Sequence, residues 1–225
     1  MDLGKLNWSA LQSASELPGP RSEWLKQRLG RFTASNFGKI MAGGKTAQTY
    51  IARVAAESLA DIADDHFMSR PMQWGVDHEA EAIQRFSELY GFSPYMTGSA
   101  QELIVSECGN YSGTPDGLIG DDCGIEIKCP NPETHLSYFQ ISDASTLKSI
   151  RPEYYWQCYG YMLLTGRSNW YFASYDPRYY DSELQFHAVL ISADETELAL
   201  LKAKIADAVI ERDRLLSFAH RKRAA

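Results

Sequence analysis

Two carboxylates and one ammonium group stand close together in the middle of the chain. The sequence reads Pro115-Asp116, then nine residues, then Glu126-Ile127-Lys128. Side chains alternate along a strand, so an extended segment here would direct Glu126 and Lys128 to the same face. A hairpin that returns the chain would bring Asp116 toward them. Carboxylate oxygens in such an arrangement suit Mg²⁺, which can polarise a phosphate oxygen and acidify a water molecule.

Lys128 has a separate role in this interpretation. Its ammonium group can orient the attacking water or stabilise the negative charge of the transition state. The motif by itself is weak, because surface charges on a strand produce the same pattern. Two features favour a functional site: apolar Ile125 and Ile127 lie between the charges, and an acid upstream falls among apolar residues.

That upstream acid is Glu79. Residues 74–90 predict an amphipathic helix that ends at Gly91. Its apolar stripe comprises Val76, Ala80, Ile83, Phe86 and Tyr90. Glu79 falls inside this stripe, where a carboxylate must be paired, protonated or bound to a cation. Together with Asp116 and Glu126 it makes three acids, enough for two metal ions about 3.5–4 Å apart, the arrangement used for in-line phosphodiester displacement.

The remaining pattern predicts the elements that position these residues. Strands are predicted at residues 103–105, 117–119, 124–128, 169–175 and 183–191. Helices are predicted at residues 22–29, 33–41, 46–61, 74–90, 152–164 and 194–218, with a mobile loop at 41–45. The turn at Asp121-Asp122 favours a hairpin between the second and third strands. This order predicts a mixed α/β (α+β) fold, a central mixed sheet flanked by helices, in a single domain of residues 1–225 whose first 20 residues are a loosely ordered lead-in.

Composition excludes several classes of protein. The chain has 225 residues, a net charge of −7 and 44% hydrophobic residues, which is typical of globular proteins and not of disordered or collagen-like chains. No run of about 18 apolar residues predicts a membrane span, and no secretory signal is evident, so we expect a cytoplasmic location without membrane partners. The four cysteines form no C-x-x-C pair, so we expect free thiols in a reducing compartment.

Positive charge is concentrated near the N-terminus. Residues 21–53 carry a net charge of +6, which leaves −13 for the rest of the chain. A local basic surface on an acidic body suits a polyanion bound at one place, and a solvated helix face is the alternative. Thr33 and Ser35 in this segment offer hydroxyls that could cap a helix, and capping and anion binding use the same backbone N–H groups.

Several ordered motifs along nearly the whole chain resemble those of one family. They are, in chain order, Trp24-x-x-x-Arg28-Leu29-Gly30, Thr33-Ala34-Ser35, Trp74-Gly75-x-x-x-Glu79, Thr114-Pro115-Asp116-Gly117, Glu126-Ile127-Lys128-Cys129-Pro130, Gln157, Trp170-Tyr171-Phe172-Ala173 and Tyr175-Asp176-Pro177-Arg178. In these motifs the chain is similar to the lambda-type (YqaJ-like) phage alkaline exonucleases of the PD-(D/E)xK nuclease superfamily. The resemblance implies a restriction-endonuclease-like core.

The resemblance also implies an activity and its partners. The expected enzyme is a Mg²⁺-dependent 5′→3′ exonuclease that degrades one strand of linear double-stranded DNA. It would expose a 3′ single strand for recombination by single-strand annealing. Two Mg²⁺ ions are expected, with Mn²⁺ as an alternative and no other cofactor. The expected substrate carries a 5′-phosphate end, the expected assembly is a ring-shaped homotrimer, and the expected partner is a single-strand annealing protein.

Residue roles follow from the same resemblance. The metal ligands would be Glu79, Asp116, Glu126 and the carbonyl of Ile127. The catalytic residues would be Lys128, Asp116, Glu126 and Gln157. The 5′-phosphate and the DNA end would be held by Arg28, Thr33 and Ser35, with Met72 as an apolar wedge. The family's arginine shortly after the Cys-Pro is missing near Thr134, and His135 is the candidate substitute.

Each of these roles has a structural alternative. Arg28 and Arg31 could be solvated charges. Thr33 and Ser35 could be helix caps only. Gln157 could serve only to satisfy hydrogen-bonding groups of a buried helix. Met72, Trp24 and Trp74 could be core residues. Two other functions also remain open. One is another nuclease on the same core, such as a restriction-type endonuclease or an iron–sulfur relative, and the other is a DNA-end-binding protein with a decayed site.

Overall fold

The computed structural model describes residues 27–59 and 70–223, so the predicted lead-in, Trp24 and most of the helix at 22–29 lie outside the described residues. Within these ranges the strands are β1 Phe32–Thr33, β2 Ile104–Val105, β3 Tyr111–Gly113, β4 Gly117–Ile119, β5 Cys123–Lys128, β6 Asn169–Tyr175 and β7 Phe186–Ser192. The helices are α1 Phe37–Ala42, α2 Gly44–Leu59, α3 Arg70–Tyr90, α4 Pro132–Tyr138, α5 Ala144–Ile150, α6 Pro152–Thr165 and α7 Glu195–Arg223. No described helix is long and apolar enough to cross a membrane.

The strand that carries the central motif lies inside a four-stranded mixed sheet of order β4-β5-β6-β7. β4 and β5 form the predicted antiparallel hairpin, and β5 runs parallel to β6, so that Glu126 stands beside Phe172. Ile125 and Ile127 are buried on the opposite face from Glu126. A Cβ at Gly124 would lie 2.3 Å from the Trp170 ring, so glycine here lets the indole cross β5. A second sheet has the order β1-β3-β2.

Helix α6 is the most buried helix beside this sheet. Pro152 occupies its first turn and Gly166 ends it in the left-handed conformation, at φ 70°, as proline and glycine favour at these positions. Residues from Tyr155 to Met162 are buried without interruption. They pack on Trp170 and Phe172 of β6 and on α7. The predicted helix at 152–164 is therefore correct, and it delivers Gln157 to the face of the sheet that carries Glu126.

Helix α3 contains the predicted 74–90 segment and starts earlier, at Arg70. The predicted apolar stripe is wrong in part, because Val76 is 60% exposed and Ala80 is exposed too. Ala82 and Phe86 are the buried residues, and they pack against β5, β6 and β7. Glu79 lies on the same helical face as these two residues. The predicted inward position of Glu79 is therefore correct, although the apolar stripe is narrower than predicted.

The segment before α2 differs from the predicted helix at 33–41. Thr33 ends strand β1, a 3₁₀ turn spans Ala34–Asn36, and the α-helix begins only at Phe37. Neither Thr33 nor Asn36, the residues at the two N-cap positions, makes a side-chain cap, so the capping prediction is wrong. The predicted mobile loop at 41–45 is a break at Gly43 between two helices.

Three short elements escaped prediction. Strand β3 joins β1 to β2, and helices α4 and α5 lie between β5 and α6 in the chain. The last strand starts later than predicted, at Phe186, because a 3₁₀ turn occupies Ser182–Leu184. The assignment of residues 1–225 to one nuclease domain stays a prediction.

Candidate active site

Glu126 is the buried centre of the polar cluster. Its side chain is only 2% exposed, and its Oε1 accepts hydrogen bonds from Lys128 Nζ and, at 2.6 Å, from Gln157 Nε2. Its Oε2 is also buried, yet it has no hydrogen-bond partner among the described residues. Buried polar atoms are almost always paired, so this orphaned oxygen marks a position that favours a cation.

Asp116 approaches the same strand from the hairpin. It stands just before β4, and its Oδ2 accepts a hydrogen bond of 2.7 Å from the backbone N–H of Ile127. Burial raises the pKa of Asp116 well above its usual value, and the charge of Glu126 raises it further. The two carboxylates therefore repel each other in a poorly solvated space, as expected where a bound cation would balance them.

Glu79 faces this pair from helix α3. Gln101 donates a hydrogen bond of 2.7 Å to its Oε1. Burial raises the pKa of Glu79, and the charge of Glu126 adds to the effect, so the two carboxylates lie within electrostatic range. The structure thus gathers the acids of α3, the hairpin and β5 at one end of the sheet.

Lys128 supplies the compensating charge in this cluster. Burial alone would lower its pKa, but the charges of Glu126 and Asp116 outweigh that effect, and the pKa is raised. The ammonium also lies 4.9 Å from the centre of the Tyr154 ring. Lys128 is therefore a permanently charged group between the carboxylates and an aromatic face.

The donor set fits a divalent metal ion. It combines the orphaned Oε2 of Glu126 and the carboxylate of Asp116, which are the hard oxygen ligands that Mg²⁺ and Mn²⁺ accept. No group of three or more Asp, Glu, His or Cys side chains among residues 27–59 and 70–223 is arranged to hold one ion as it stands. The ammonium of Lys128 bonds one oxygen of Glu126, and a backbone N–H bonds one oxygen of Asp116.

The residues predicted to hold the DNA end, Arg28, Thr33 and Ser35, belong to the basic segment of residues 21–53. Arg28 is half-buried, and Tyr161, Tyr50 and Glu57 lie within its electrostatic range. Burial lowers its pKa, the largest effect on this group. Arg28 is therefore no solvated surface charge.

Thr33 and Ser35 are held differently from the prediction. The backbone N–H of Thr33 donates to Tyr50 Oη at 2.9 Å, and its Oγ1 accepts from Asn36 Nδ2 at 2.8 Å. Ser35 is exposed, with its Oγ 3.4 Å from Thr33 Oγ1. The hydroxyl of Thr33 is thus buried beside Tyr50, the hydroxyl of Ser35 is exposed, and neither caps a helix.

Met72 and Trp74 lie on the first turns of α3. Met72 is 48% exposed, which excludes the core alternative within this chain. Trp74 is half-buried, and the guanidinium of Arg178 lies 4.3 Å from its ring centre. Arg178 also bonds Asp176 through two nitrogens and the carbonyl of Pro130. This guanidinium connects the segment after β5 to α3.

His135 does not replace the missing arginine. It is completely buried; its Nε2–H donates to Leu184 O at 2.9 Å, and its Nδ1 accepts from Ser174 Oγ at 2.6 Å. Both ring nitrogens serve the packing of α4 on the sheet, so a DNA phosphate cannot reach them. All four cysteines are free.

Sequence reasoning missed three contributors to this site: Gln101, Tyr154 and Tyr161. Gln101 lies 22 residues from the acid that it bonds. Tyr154 and Tyr161 share helix α6 with Gln157 at intervals of three and four residues. The helical spacing around Gln157 was the available signal, since residues at these intervals share a face.

Comparison with solved structures finds the same fold in two exonucleases. The alkaline exonuclease LHK-Exo from Laribacter hongkongensis is 29% identical, with 90% of this chain and 97% of that chain covered and a TM-score of 0.78. LHK-Exo in complex with dAMP gives a TM-score of 0.79 at the same identity and coverage. A phage related exonuclease from Haemophilus somnus 129PT is 17% identical, with 84% and 96% of the two chains covered and a TM-score of 0.66, a likeness of fold alone.

These likenesses confirm the predicted fold class, a mixed α/β arrangement of the PD-(D/E)xK type. No curated protein matches the chain. A model of one protein family, described as the YqaJ-like viral recombinase domain, matches residues 23–168. Those residues make up well over half of the chain and include the acids of α3, the hairpin and β5. The chain therefore belongs to the YqaJ-like viral recombinase family, as its motifs predict, and the family together with these neighbours supports a nuclease role.

Proposed function

We propose that this protein is a Mg²⁺-dependent 5′→3′ exonuclease that degrades one strand of linear double-stranded DNA and leaves a 3′ single strand for recombination by annealing. One observation carries the proposal. Glu126 is buried with one oxygen that has no partner within residues 27–59 and 70–223, and Asp116, Glu79 and Lys128 surround it within electrostatic range. Such a cluster suits a cation and a phosphodiester.

In this proposal Asp116, Glu126 and the Ile127 carbonyl hold the metal ions, with Glu79 completing the set. Bound divalent ions supply Lewis-acid polarisation of the phosphate and lower the pKa of a water ligand. Lys128 positions the nucleophilic water and stabilises negative charge, since its ammonium is fixed between carboxylates. Gln157 keeps Glu126 in place by its hydrogen bond of 2.6 Å.

The DNA end is held by the neighbouring basic region. Arg28 offers a planar fork that matches a terminal phosphate, and Thr33 and Ser35 add hydroxyl donors. Tyr161 lies within electrostatic range of Arg28 and bonds Gln157, so the phosphate residues adjoin the catalytic face. Backbone contacts of this kind fix the strand without reading bases. Met72, exposed on α3, is proposed as the wedge between the end base pairs.

The test is digestion of linear duplex DNA labelled separately at each end, with Mg²⁺, Mn²⁺ or EDTA. We expect nucleotide release from 5′ ends only, in either metal and not in EDTA, while a supercoiled circle stays intact. Nicking of the circle would indicate an endonuclease, and loss of label from 3′ ends would refute the polarity.

Variants connect the activity to the site. Glu126→Gln and Asp116→Ala should abolish cleavage while the protein stays folded, because each removes a ligand from a cluster of mutually repelling acids. Glu102→Gln is the matched control, since Glu102 is an exposed acid beside Gln101. Substantial cleavage by either site variant would contradict the metal assignment. DNA binding without any metal-dependent release in the wild type would indicate an end-binding protein.

The assembly and partners complete the proposal. A chain with net charge −7 gains little from general attraction to DNA, so we propose a closed homotrimer that encloses its substrate with the basic residues toward the channel. Cyclic closure requires a heterologous interface. A stable monomer at working concentration, measured by light scattering, would contradict the ring. We propose a single-strand annealing protein as partner and the cytoplasm as the site of action.

A further inference from the structure

Two side chains of helix α6 connect Glu126 on β5 to the segment that carries Asp116. Gln157 and Tyr161 stand four residues apart on the same helical face. Gln157 Nε2 donates to Glu126 Oε1 at 2.6 Å and to Tyr161 Oη at 3.0 Å. Tyr161 in turn donates its hydroxyl hydrogen to the carbonyl of Thr114 at 3.0 Å.

Thr114 is two residues before the aspartate of the cluster. Pro115 between them has a fixed φ, so holding the Thr114 carbonyl limits how Asp116 is presented. Asp116 is also held from the other side, because Ile127 N–H donates to its Oδ2.

The hydrogen bonds and the backbone therefore form a closed circuit. It runs from Glu126 through Gln157 and Tyr161 to Thr114, along the chain to Asp116, and through the Ile127 N–H back to β5. We infer that Tyr161 is a positioning residue that fixes the separation of the Asp116 and Glu126 carboxylates through this circuit, and that it thereby sets the affinity of the site for a divalent cation. The inference rests on the proposed metal site.

The donors and acceptors in the circuit leave little freedom. The amide group of Gln157 has two N–H donors, and both are used. The hydroxyl of Tyr161 accepts one hydrogen bond and donates one, so each atom has a single role. Tyr161 is 3% exposed, and water cannot readily replace a missing bond.

The packing around the Tyr161 ring supports a positional role. The ring stacks on Trp170 at a centroid distance of 5.1 Å and an angle of 25°. A Cβ at Gly113 would lie 2.8 Å from Tyr161 Cε1. Glycine at 113 therefore lets strand β3 approach close enough for the hydroxyl to reach the next residue, Thr114.

The test is Tyr161→Phe, which keeps the ring and removes only the hydroxyl. The matched control is Tyr159→Phe in the same helix. Tyr159 is 1% exposed, donates to Ser192 O at 3.3 Å and accepts from Asp194 N at 3.1 Å. The Tyr159→Phe variant thus loses a comparable buried hydroxyl outside the circuit. It measures only the loss of thermal stability that removing such a hydroxyl causes.

Mg²⁺ and Mn²⁺ binding are measured by calorimetry on the protein without DNA, beside thermal stability and DNA binding in EDTA. Removing a group that supports metal ligands typically lowers metal affinity about 10- to 100-fold. We expect such a loss in Tyr161→Phe, and no change of metal affinity in Tyr159→Phe. Thermal stability should fall similarly in both, and DNA binding in EDTA should be equal to wild type.

Two results would overturn the inference: a metal affinity in Tyr161→Phe equal to that of wild type, or an equal loss of metal affinity in both phenylalanine variants. A wild-type protein that binds the ions but does not cut DNA would defeat the proposed function and leave the comparison of metal affinities intact. A Gly113→Ala variant gives a second check, because the added methyl group displaces the ring and should weaken metal binding in the same direction.

Discussion

Replacing Lys128 by methionine tests how the acidic cluster is balanced. Lys128 contacts Glu126, whose side chain is 2% exposed, while Lys128 itself is 25% exposed. Removing one partner of a buried ion pair costs about 3–5 kcal/mol. The partial exposure of Lys128 places the expected loss at the lower end, about 3 kcal/mol of unfolding free energy without metal.

The assay is thermal unfolding in EDTA and in Mg²⁺. For a chain of this size 1 kcal/mol corresponds to about 2–4 °C, so Lys128→Met should unfold about 6–12 °C below wild type in EDTA. A ligand at 100 times its Kd adds about 2.7 kcal/mol. Loss of the ammonium leaves a bound ion as the only charge that balances the carboxylates, so the variant should bind Mg²⁺ more tightly, and Mg²⁺ should raise its Tm more than that of wild type. Cleavage should be nearly lost while Mg²⁺ binding persists.

The control is Lys148→Met. Lys148 forms an ion pair with Glu197 at 2.6 Å, with the two side chains 41% and 23% exposed, and exposed pairs contribute about 0–1 kcal/mol. Its Tm should change little, with or without Mg²⁺. A Lys128→Met protein with the wild-type Tm in EDTA, or without a larger Mg²⁺ response, would refute this account of the cluster.

Two further predictions concern the DNA end and the fold. Arg28→Ala should slow digestion of 5′-phosphorylated ends about 10- to 150-fold, because a charge-assisted hydrogen bond contributes about 1.5–3 kcal/mol, and should slow 5′-hydroxyl ends much less; unchanged preference in end-labelled assays would remove Arg28 from the phosphate pocket. Burial lowers the pKa of His135, so the unfolded chain binds more protons at His135 than the folded chain does. Neutral His135 therefore contributes free energy of unfolding above its unfolded pKa of about 6.5, and this contribution is lost as the pH falls below that value. Urea unfolding at pH 7.5 and 5.5 should show a smaller loss in His135→Gln than in wild type, and equal losses would contradict the assignment.

The strands and helices with strong periodicity were predictable. β6 has the predicted bounds, and α6 matches to within a residue at its end, because runs of aromatic and apolar residues next to proline and glycine signals leave few alternatives. The catalytic motif was equally visible, since Glu126 and Lys128 must share a strand face wherever that strand lies.

Short elements gave no comparable signal. β3 has only three residues and includes Gly113, so it shows no alternation. Helix α4 begins directly after Asn131, whose side chain caps it by accepting from Thr134 N–H. The Asn131-Pro132 pair predicts the end of a strand, and the same two residues also start a helix here. The prediction used only the first meaning.

Contacts across long sequence distances could not be predicted from local pattern. Gln101 meets Glu79 from 22 residues away, and Tyr161 meets Thr114 from 47 residues away. Such pairings depend on how helices pack on the sheet. The burial of His135 is of the same kind, because its partner Ser174 comes from β6, 39 residues later.

The Arg178 guanidinium has a consequence for the position of Met72. It bonds the Pro130 carbonyl at the end of the catalytic strand and lies on the ring of Trp74, two residues after Met72. The start of α3 is therefore fastened to the sheet and cannot slide along it freely. If Met72 parts the end base pairs as proposed, this fastening would fix the distance between the point of strand separation and the acidic cluster.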